Sequence, residues 1–377
     1  MKVKINKIKY ELFGFLFGLG IILAVGGTIV YAAVAASIVT YDNSSSSLSS
    51  TNVQGAIDEL NTACTSNLKI YITRLYNNAS KSTITTASDE VIVQASSVGL
   101  MKDSAGNIRY YGADPANYVT FNGESASWRI IGIVDGKVKI VRTIGFPFQS
   151  STSNLLSFDN QTTNYGSPNW KTSRLMMTLN PDSYTDSSIS SYGATYWNRG
   201  NGTCYGGTDN VTVSCDFSST GLTTTAQNMI SPTNWYLGSA NTVKLYPNDM
   251  YSKERDTSVY TTWYGYVGLM YASDYAYASD LNSCKEMLSN YDNDSTNCVE
   301  TNWFYANYTN GYWTISGSYG TSGTGLSRIK ITKDGDMLFY KPNSTANLRP
   351  SVFLKSNIKI VSGTGTSTDP YILISSC

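Results

Sequence analysis

The feature that most constrains this chain is an uncharged, apolar segment near its N-terminus. No charged residue lies between Glu11 and Asp42. About 20 apolar residues span the hydrocarbon core of a bilayer, so the segment is long enough to cross a membrane as a helix. Four lysines precede it, and basic residues that flank a first apolar segment stay in the cytoplasm. The sequence therefore predicts that the rest of the chain is exported.

The apolar segment has two interpretations, a retained anchor or a cleaved secretory signal. Residues 33–35 have the small-residue pattern that a signal peptidase accepts, whereas the apolar character of residues 12–39 exceeds the usual signal core of about 7–15 residues. We expect a basic cytoplasmic tail at 1–11 and a transmembrane helix or uncleaved signal anchor at 12–40. Both interpretations place the C-terminal part outside the cell. The length of the apolar segment favours the anchor, so we expect a single-pass protein of the cell membrane.

A polar, serine-rich stretch at residues 41–51 predicts a flexible linker. Thr51 and Gln54 then show the capping-box spacing that begins a helix. The apolar positions that follow recur at helical spacing and form one stripe: Val53, Ala56, Ile57 and Leu60. We expect stalk helices over 52–80. Residues 66–77 fit the spacing of either a strand or a helix, and we favour a helix. The stripe packs either on its own domain or on a second copy of the chain, which would make a homo-oligomer.

Short strands and turns dominate the sequence beyond residue 81. Asp135-Gly136 separates two apolar stretches and predicts a hairpin, and Asp334-Gly335 predicts a second turn. Further strands are predicted at 312–315 and 348–354. A helix is expected from Ser167-Pro168 past Leu179, and a short one capped near Ser273. Long loops with a small hairpin near residue 211 fill the middle. These elements predict an α+β domain with an antiparallel sheet over 81–377.

Six cysteines in an exported chain predict disulfide bonds. Cys204 and Cys215 bracket a short loop-like stretch, and so do Cys284 and Cys298, which favours two local bonds. Cys64 and Cys377 remain as a third candidate pair, joining the stalk to the C-terminus.

The chain contains no histidine, which excludes histidine-based nucleophile activation and His-ligated zinc. We therefore expect no metal, no cofactor and no enzymatic activity. Acid–base chemistry on glycosides would need a carboxylate pair, and five acids are candidates for it: Asp249, Glu254, Asp256, Asp274 and Asp280. The oxygen-rich residues 291–295 lack the spacing of a calcium loop and favour an Asx-rich turn. With 27 basic and 27 acidic side chains the chain has no net charge to attract nucleic acid, so we expect no nucleic-acid partner.

Several motifs resemble those of formylglycine-generating-enzyme-like domains. Residues 269–279 resemble the family segment L-P-T-x-x-E-[WY]-x-[YF]-A, Trp313 begins a stretch similar to its W-S-S strand, and residues 348–352 resemble its closing strand. Residues 51–60 are similar to a helix of phage tail fibres and of membrane-anchored bacterial surface proteins. The resemblance implies a C-type-lectin-like fold. It implies neither oxidase activity nor calcium-dependent sugar binding, because the catalytic cysteines and the sugar-binding triplet have no counterpart here.

Taken together, these patterns predict a surface-displayed, non-catalytic binding or adhesion module. We expect it to recognise an extracellular glycan or protein through tyrosine-rich loops, because aromatic rings supply contact area at low entropic cost. The candidate binding residues are Tyr246, Tyr251, Tyr260, Trp263, Tyr264, Tyr266, Tyr305 and Tyr308. Four other tryptophans are predicted to lie in the core: Trp128, Trp170, Trp235 and Trp313. A structural surface protein without a ligand and a carboxylate-dependent glycan hydrolase remain as alternatives.

Overall fold

The computed structural model describes residues 35–44, 49–58, 67–145, 155–159, 168–181, 193–205, 212–258, 261–291, 298–318 and 327–375. The chain divides into two compact units, residues 1–66 and 67–377. Cys64, Cys377, Tyr260 and most of the expected membrane segment lie outside the described residues.

The first unit contains a short helix that begins just after Asn52. Residues 53–58 are helical, and the Gly55 amide donates to Asn52 Oδ1 at 2.7 Å. The helix therefore begins close to where it was predicted, but the predicted capping residues Thr51 and Gln54 are wrong. Asn52 accepts the first-turn amide instead of Thr51, and the Gln54 side chain donates forward to a carboxylate in the next turn.

The expected membrane helix does not reach residue 40. Ala36–Ile38 is a single 3₁₀ turn, and Thr40 forms an antiparallel bridge with Asn52. The β-branched Val39 and Thr40 favour this extended backbone. Within the described ranges, no helix is long and apolar enough to cross a bilayer.

The second unit has five short helices among its described residues. These are α1 (Leu68–Asn78), α2 (Arg174–Leu179), α3 (Thr224–Met229), α4 (Pro247–Arg255) and α5 (Ala272–Ala276). Its 3₁₀ turns are Ser96–Val98, Trp170–Thr172 and Leu288–Asn290.

Strands make up most of the regular structure. The first ten are β1 (Ser82–Thr85), β2 (Val91–Ala95), β3 (Leu100–Lys102), β4 (Ile108–Tyr110), β5 (Tyr118–Phe121), β6 (Glu124–Val134), β7 (Lys137–Arg142), β8 (Leu156–Ser157), β9 (Asn201–Tyr205) and β10 (Thr212–Asp216). The others are β11 (Thr233–Tyr236), β12 (Ser239–Ala240), β13 (Thr262–Gly265), β14 (Val267–Leu269), β15 (Tyr312–Ser318), β16 (Ser327–Ile331), β17 (Met337–Tyr340), β18 (Thr345–Ala346), β19 (Pro350–Phe353), β20 (Lys359–Ser362) and β21 (Tyr371–Ile374).

An 11-stranded sheet is built around the long strand β6. One path runs β1-β2-β3-β4-β6-β5-β21-β20, and a branch runs from β6 through β7 and β19 to β14. Strand β6 changes partner along one edge, from β5 to β4, near Gly132. Gly132 has φ +154°, and a Cβ there would lie 2.1 Å from the Ile108 carbonyl oxygen. Only glycine permits this close approach of the two strands.

Smaller sheets complete the unit: β12-β15-β16-β17, and the pairs β9/β10, β11/β13 and β8/β18. One large apolar cluster lies between the elements, and it contains most of the buried aromatic residues. The four tryptophans predicted for the core are fully buried, which confirms that prediction: Trp128, Trp170, Trp235 and Trp313.

The predicted α+β class is wrong, because the described residues are mostly β with few helices. Apart from α1, which has 11 residues, the helices of the second unit have five to nine residues. Helical spacing after Pro168 predicted one helix, but Ser173 has extended backbone angles and its hydroxyl caps the Met176 amide. The result is a 3₁₀ turn followed by one short helix.

The predicted turns are confirmed where the two turn residues themselves determine the backbone conformation. Strands β6 and β7 meet at Asp135-Gly136, where both residues have positive φ, as the two-residue hairpin requires. Asp334-Gly335 joins β16 to β17, and β9 pairs with β10 as the predicted small hairpin. Helix α1 is also confirmed. The short helix α5 begins earlier than predicted. Its N-cap is Tyr271 instead of a residue near Ser273, and the Asp274 carboxylate accepts the Tyr271 amide.

Both predicted local cysteine pairs lie within bonding distance. Cys204 and Cys215 face each other on β9 and β10 with Cα atoms 5.9 Å apart, and the Cα atoms of Cys284 and Cys298 are 4.6 Å apart. Such bonds form and persist in an oxidising compartment.

Replacing Cys284 and Cys298 together with serine is expected to lower the free energy of unfolding by about 3 kcal/mol. The bond closes a loop with a sequence separation of 14, and removing it returns that entropy to the unfolded chain. Urea denaturation of the oxidised proteins measures the loss. Peptide mapping without reductant should find both local pairs, and a peptide that joins Cys204 to Cys284 would contradict the scheme.

Candidate functional site

The ribbon formed by β11 and β13 is anchored in the core by its inner face. Trp235 and Trp263 are cross-strand partners, and both are buried. The Trp263 ring meets Trp170 edge-on at 5.7 Å, and Trp235 Nε1 donates to the Gly265 carbonyl at 3.3 Å. Because alternate residues of a strand point to opposite faces, this packing directs the neighbouring side chains outward.

Tyr264 lies on the outer face of this ribbon, opposite Asn234. Its side chain is 53% exposed, and within the described part of the chain it has no hydrogen bond and no ring contact. It is the most exposed aromatic side chain among the described residues. A tyrosine mounted on a rigid ribbon with its ring and hydroxyl accessible can contact a ligand with little loss of conformational entropy.

A stacked aromatic pair follows Tyr264 closely. Tyr266 stacks on Trp197 with ring centroids 4.1 Å apart and planes 29° apart, and both side chains are partly exposed. The Trp197 backbone is held by Gln227, whose Nε2 donates to its carbonyl. Two residues span at most about 7 Å, so the Cα atom of Tyr264 lies within that distance of the Cα atom of Tyr266. We name Trp197, Tyr264, Tyr266 and Asn234 the aromatic surface.

The other candidate tyrosines that the structure describes are not part of this surface. Tyr251 donates to Asp135 at 2.8 Å, and the Arg255 guanidinium lies 3.3 Å from its ring centroid. Burial raises the pKa of Tyr251 to about 12, although the neighbouring Arg255 opposes the shift. Tyr251 therefore holds the β6–β7 turn against α4.

Tyr305 and Tyr308 use their hydroxyls on backbone carbonyls. Tyr305 donates to Lys333 at 2.8 Å, and Tyr308 donates to Thr143 at 3.1 Å. Tyr246 precedes α4 and is partly buried, and Trp263 belongs to the core. Tyr260 lies outside the described residues. Of the seven candidates that the structure describes, only Tyr264 and Tyr266 are neighbours at the surface, at a strand and its end instead of in a long loop.

A buried ionic cluster lies elsewhere in the unit, centred on Asp274. Its Oδ1 accepts from Arg109 at 3.0 Å, and its Oδ2 accepts from Lys139 at 2.5 Å. Arg109 also donates to Asp103 at 2.8 Å. Burial alone would raise the pKa of Asp274, but the charges of Lys139 and Arg109 outweigh it and hold that pKa below its ordinary value. All four groups have partners, so the cluster stabilises the junction of β4, β7 and α5.

Glu254 is the second buried acid among the glycosidase candidates. It accepts from the Ser273 amide at 3.0 Å, from the Ser273 hydroxyl and from the Ser316 hydroxyl at 2.6 Å. Burial raises the pKa of Glu254, while Arg255 and these donors oppose the shift. Glu254 and Asp274 are 1% and 2% exposed, so neither lines a surface cleft.

The remaining acids serve turns and helix ends. Asp256 accepts the Ser258 amide, and Asp280 accepts from Gln94 and from the Asn282 amide. Asp249 lies in the first turn of α4, where it suits the helix dipole. Over the described residues, no cluster of metal-ligating side chains is found. The oxygen-rich turn predicted at 291–295 lies outside the described residues beyond Tyr291.

Sequence reasoning missed Trp197, Asn234 and the cationic side chains packed on rings. Lys139 lies 4.1 Å from the Tyr271 ring centroid, and Arg129 lies 3.9 Å from that of Tyr118. The alternation of Thr262, Trp263 and Tyr264 was a usable strand signal. The partners of Trp197 and Asn234 are distant in sequence, so no local pattern marks them.

Comparisons of the chain with protein-family models, with curated proteins and with solved structures give no match. The resemblance to formylglycine-generating-enzyme-like domains therefore stays a prediction.

Proposed function

We propose that this chain is a non-catalytic binding module of the cell exterior that recognises an extracellular glycan or protein through the aromatic surface. The observation that carries the proposal is Tyr264, an exposed ring on a ribbon anchored by two buried tryptophans. Aromatic residues fixed in this way are typical of sites that bind by stacking and surface contact.

The surroundings of Tyr264 support the same function. The stacked Trp197 and Tyr266 rings supply a second apolar area two residues along the chain, and the Asn234 amide opposite Tyr264 adds hydrogen-bonding groups. The two cysteine pairs support an oxidising location outside the cytoplasm.

The alternatives predict different arrangements. A purely structural protein would disperse its exposed aromatics singly, whereas Tyr264 lies beside a stacked pair. A glycan hydrolase would need two acids in a cleft about 5–9 Å apart. Glu254 and Asp274 are instead enclosed by donors in the interior.

Replacing Tyr264 with alanine is expected to weaken ligand binding at least tenfold without unfolding the protein. Loss of an aromatic contact at the centre of a binding site costs about 2 kcal/mol or more, and a tenfold change in affinity corresponds to about 1.4 kcal/mol. The full-length chain should first be screened on arrays of extracellular glycans and proteins. The affinity of each variant for the strongest hit then measures the effect.

Ile372→Ala is the matched control, because Ile372 is 44% exposed on β21 and is not part of the aromatic surface. Tyr305→Phe is a second control that keeps the ring and removes the hydroxyl. Equal binding by Tyr264→Ala and the Ile372 control would remove the aromatic surface from consideration.

A further inference from the structure

A small cavity lies where α1 begins, next to the turn between β6 and β7. Its volume is about 130 Å³. Its floor is apolar and consists of four buried side chains: Leu68, Val138, Leu354 and Ile358.

The walls of the cavity are tied together by backbone hydrogen bonds. The Leu68 amide donates to the Ile358 carbonyl, and the Leu354 amide donates to the Val138 carbonyl, both at 2.9 Å. The Asn67 side chain, which caps α1, also donates to a carbonyl beside the cavity at 2.7 Å. The cavity is therefore built into the fold before any ligand binds.

Three lysines line the cavity from three separate segments. Lys69 comes from α1, Lys137 from β7 and Lys355 from the chain after β19. Lys137 Nζ donates to the Thr233 hydroxyl at 2.9 Å, and Ser231 lines the cavity beside it. Over the described residues, none of the three amines takes part in an ion pair.

The carboxylate nearest to Lys137 in sequence, that of Asp135, already accepts hydrogen bonds from other side chains. Asp135 adjoins Gly136, which lines the cavity. Its oxygens accept from Arg255 at 2.6 Å and from the Tyr251 hydroxyl at 2.8 Å. The chain as a whole has no net charge, so the three lysines form a local concentration of positive charge.

We propose that this cavity binds an oxyanion, the phosphate or sulfate group of a free ion or of an extracellular polymer. Each lysine supplies a full positive charge and N–H donors, of which Lys137 uses one on the Thr233 hydroxyl. The first turn of α1 adds the positive end of a helix dipole. None of the residues that line the cavity belongs to the aromatic surface, so the two proposals can be tested separately.

Titration of the full-length protein with sodium phosphate, sodium sulfate and sodium chloride tests the proposal by calorimetry. We expect saturable binding of phosphate and sulfate at an affinity well above that of chloride. The double substitution Lys69→Gln/Lys355→Gln should weaken the binding at least tenfold, because it removes two of the three charges. Both lysines are exposed, so the thermal midpoint without added anion should not change.

Lys244→Gln/Lys253→Gln is the matched control, since it removes two exposed positive charges that do not line the cavity. Equal phosphate affinity in the cavity variant and this control would overturn the proposal, and so would phosphate binding no tighter than chloride. Dextran sulfate binding more tightly than inorganic sulfate would identify a polymer as the source of the group, and equal affinities would identify the free ion. Neutral dextran binding as tightly as dextran sulfate would overturn the proposal.

The two proposals fail separately. Tyr264→Ala should keep the full affinity for phosphate. Loss of anion binding with array binding intact would overturn the cavity site alone.

Discussion

Replacing Asp274 with alanine is expected to lower the free energy of unfolding by about 3–5 kcal/mol. Asp274 is the shared partner of Arg109 and Lys139, whose side chains are 1% and 0% exposed. Removing the carboxylate leaves Lys139 without its ion-pair partner and Arg109 with only Asp103. A buried charge that loses its partner carries a desolvation penalty that nothing offsets.

The same substitution also removes the N-terminal cap of α5. Asp274 Oδ2 accepts the Tyr271 amide at 2.9 Å, and loss of a cap costs about 1 kcal/mol. Urea denaturation followed by circular dichroism measures the total effect. Asp256→Ala is the control, because Asp256 is exposed and accepts the amide of the nearby Ser258. A change in midpoint no larger than that of the control would show that the cluster does not stabilise the fold.

The contribution of Asp274 should also depend on pH. Its pKa is lowered in the folded protein, so the native state binds fewer protons there than the unfolded chain does. The stabilisation is present above the unfolded pKa of about 3.9, and it is lost as the pH falls through the lower native pKa. Asp274→Asn should therefore be less stable than the wild type at neutral pH and should lose less stability on acidification.

The local elements of this fold were predictable because neighbouring residues determine them. Asp135-Gly136 adopts positive φ angles that few other residue pairs tolerate, and the turn follows from that preference alone. The core tryptophans were predictable because so large an apolar surface is rarely left in water. The short helices misled the class assignment, because single turns capped by residues such as Ser173 have the spacing of longer helices.

The site was less predictable because its contacts are non-local. The sequence marked Asp274 only as a candidate glycosidase acid, because its partners Arg109 and Lys139 are 165 and 135 residues away in the chain. Tyr251 was interpreted as a free loop residue, yet its hydroxyl binds Asp135 across 116 residues. Whether a tyrosine is free or occupied therefore depends on which distant segment the fold brings to it.

Replacing Trp313 with alanine is the second large expected effect, a loss of about 3–5 kcal/mol. The Trp313 ring is fully buried and meets Phe158 edge-on at 5.9 Å. Its Nε1 donates to the Leu156 carbonyl at 2.9 Å, which ties β15 to β8. The substitution therefore removes a large apolar surface, leaves a cavity and deprives a buried carbonyl of a donor.

Trp313→Phe separates these contributions, since it keeps a ring in the core but removes the N–H group. We expect it to cost about 1–3 kcal/mol, less than the alanine variant, because the cavity is smaller. Tyr264→Ala is the matched control, an aromatic truncation at an exposed position that should change stability by no more than about 0.5 kcal/mol. Urea midpoints of the three variants give the comparison. Equal losses for Trp313→Ala and Tyr264→Ala would mean that burial does not distinguish the core aromatics from the aromatic surface, and the assignment of Tyr264 to binding would lose its basis.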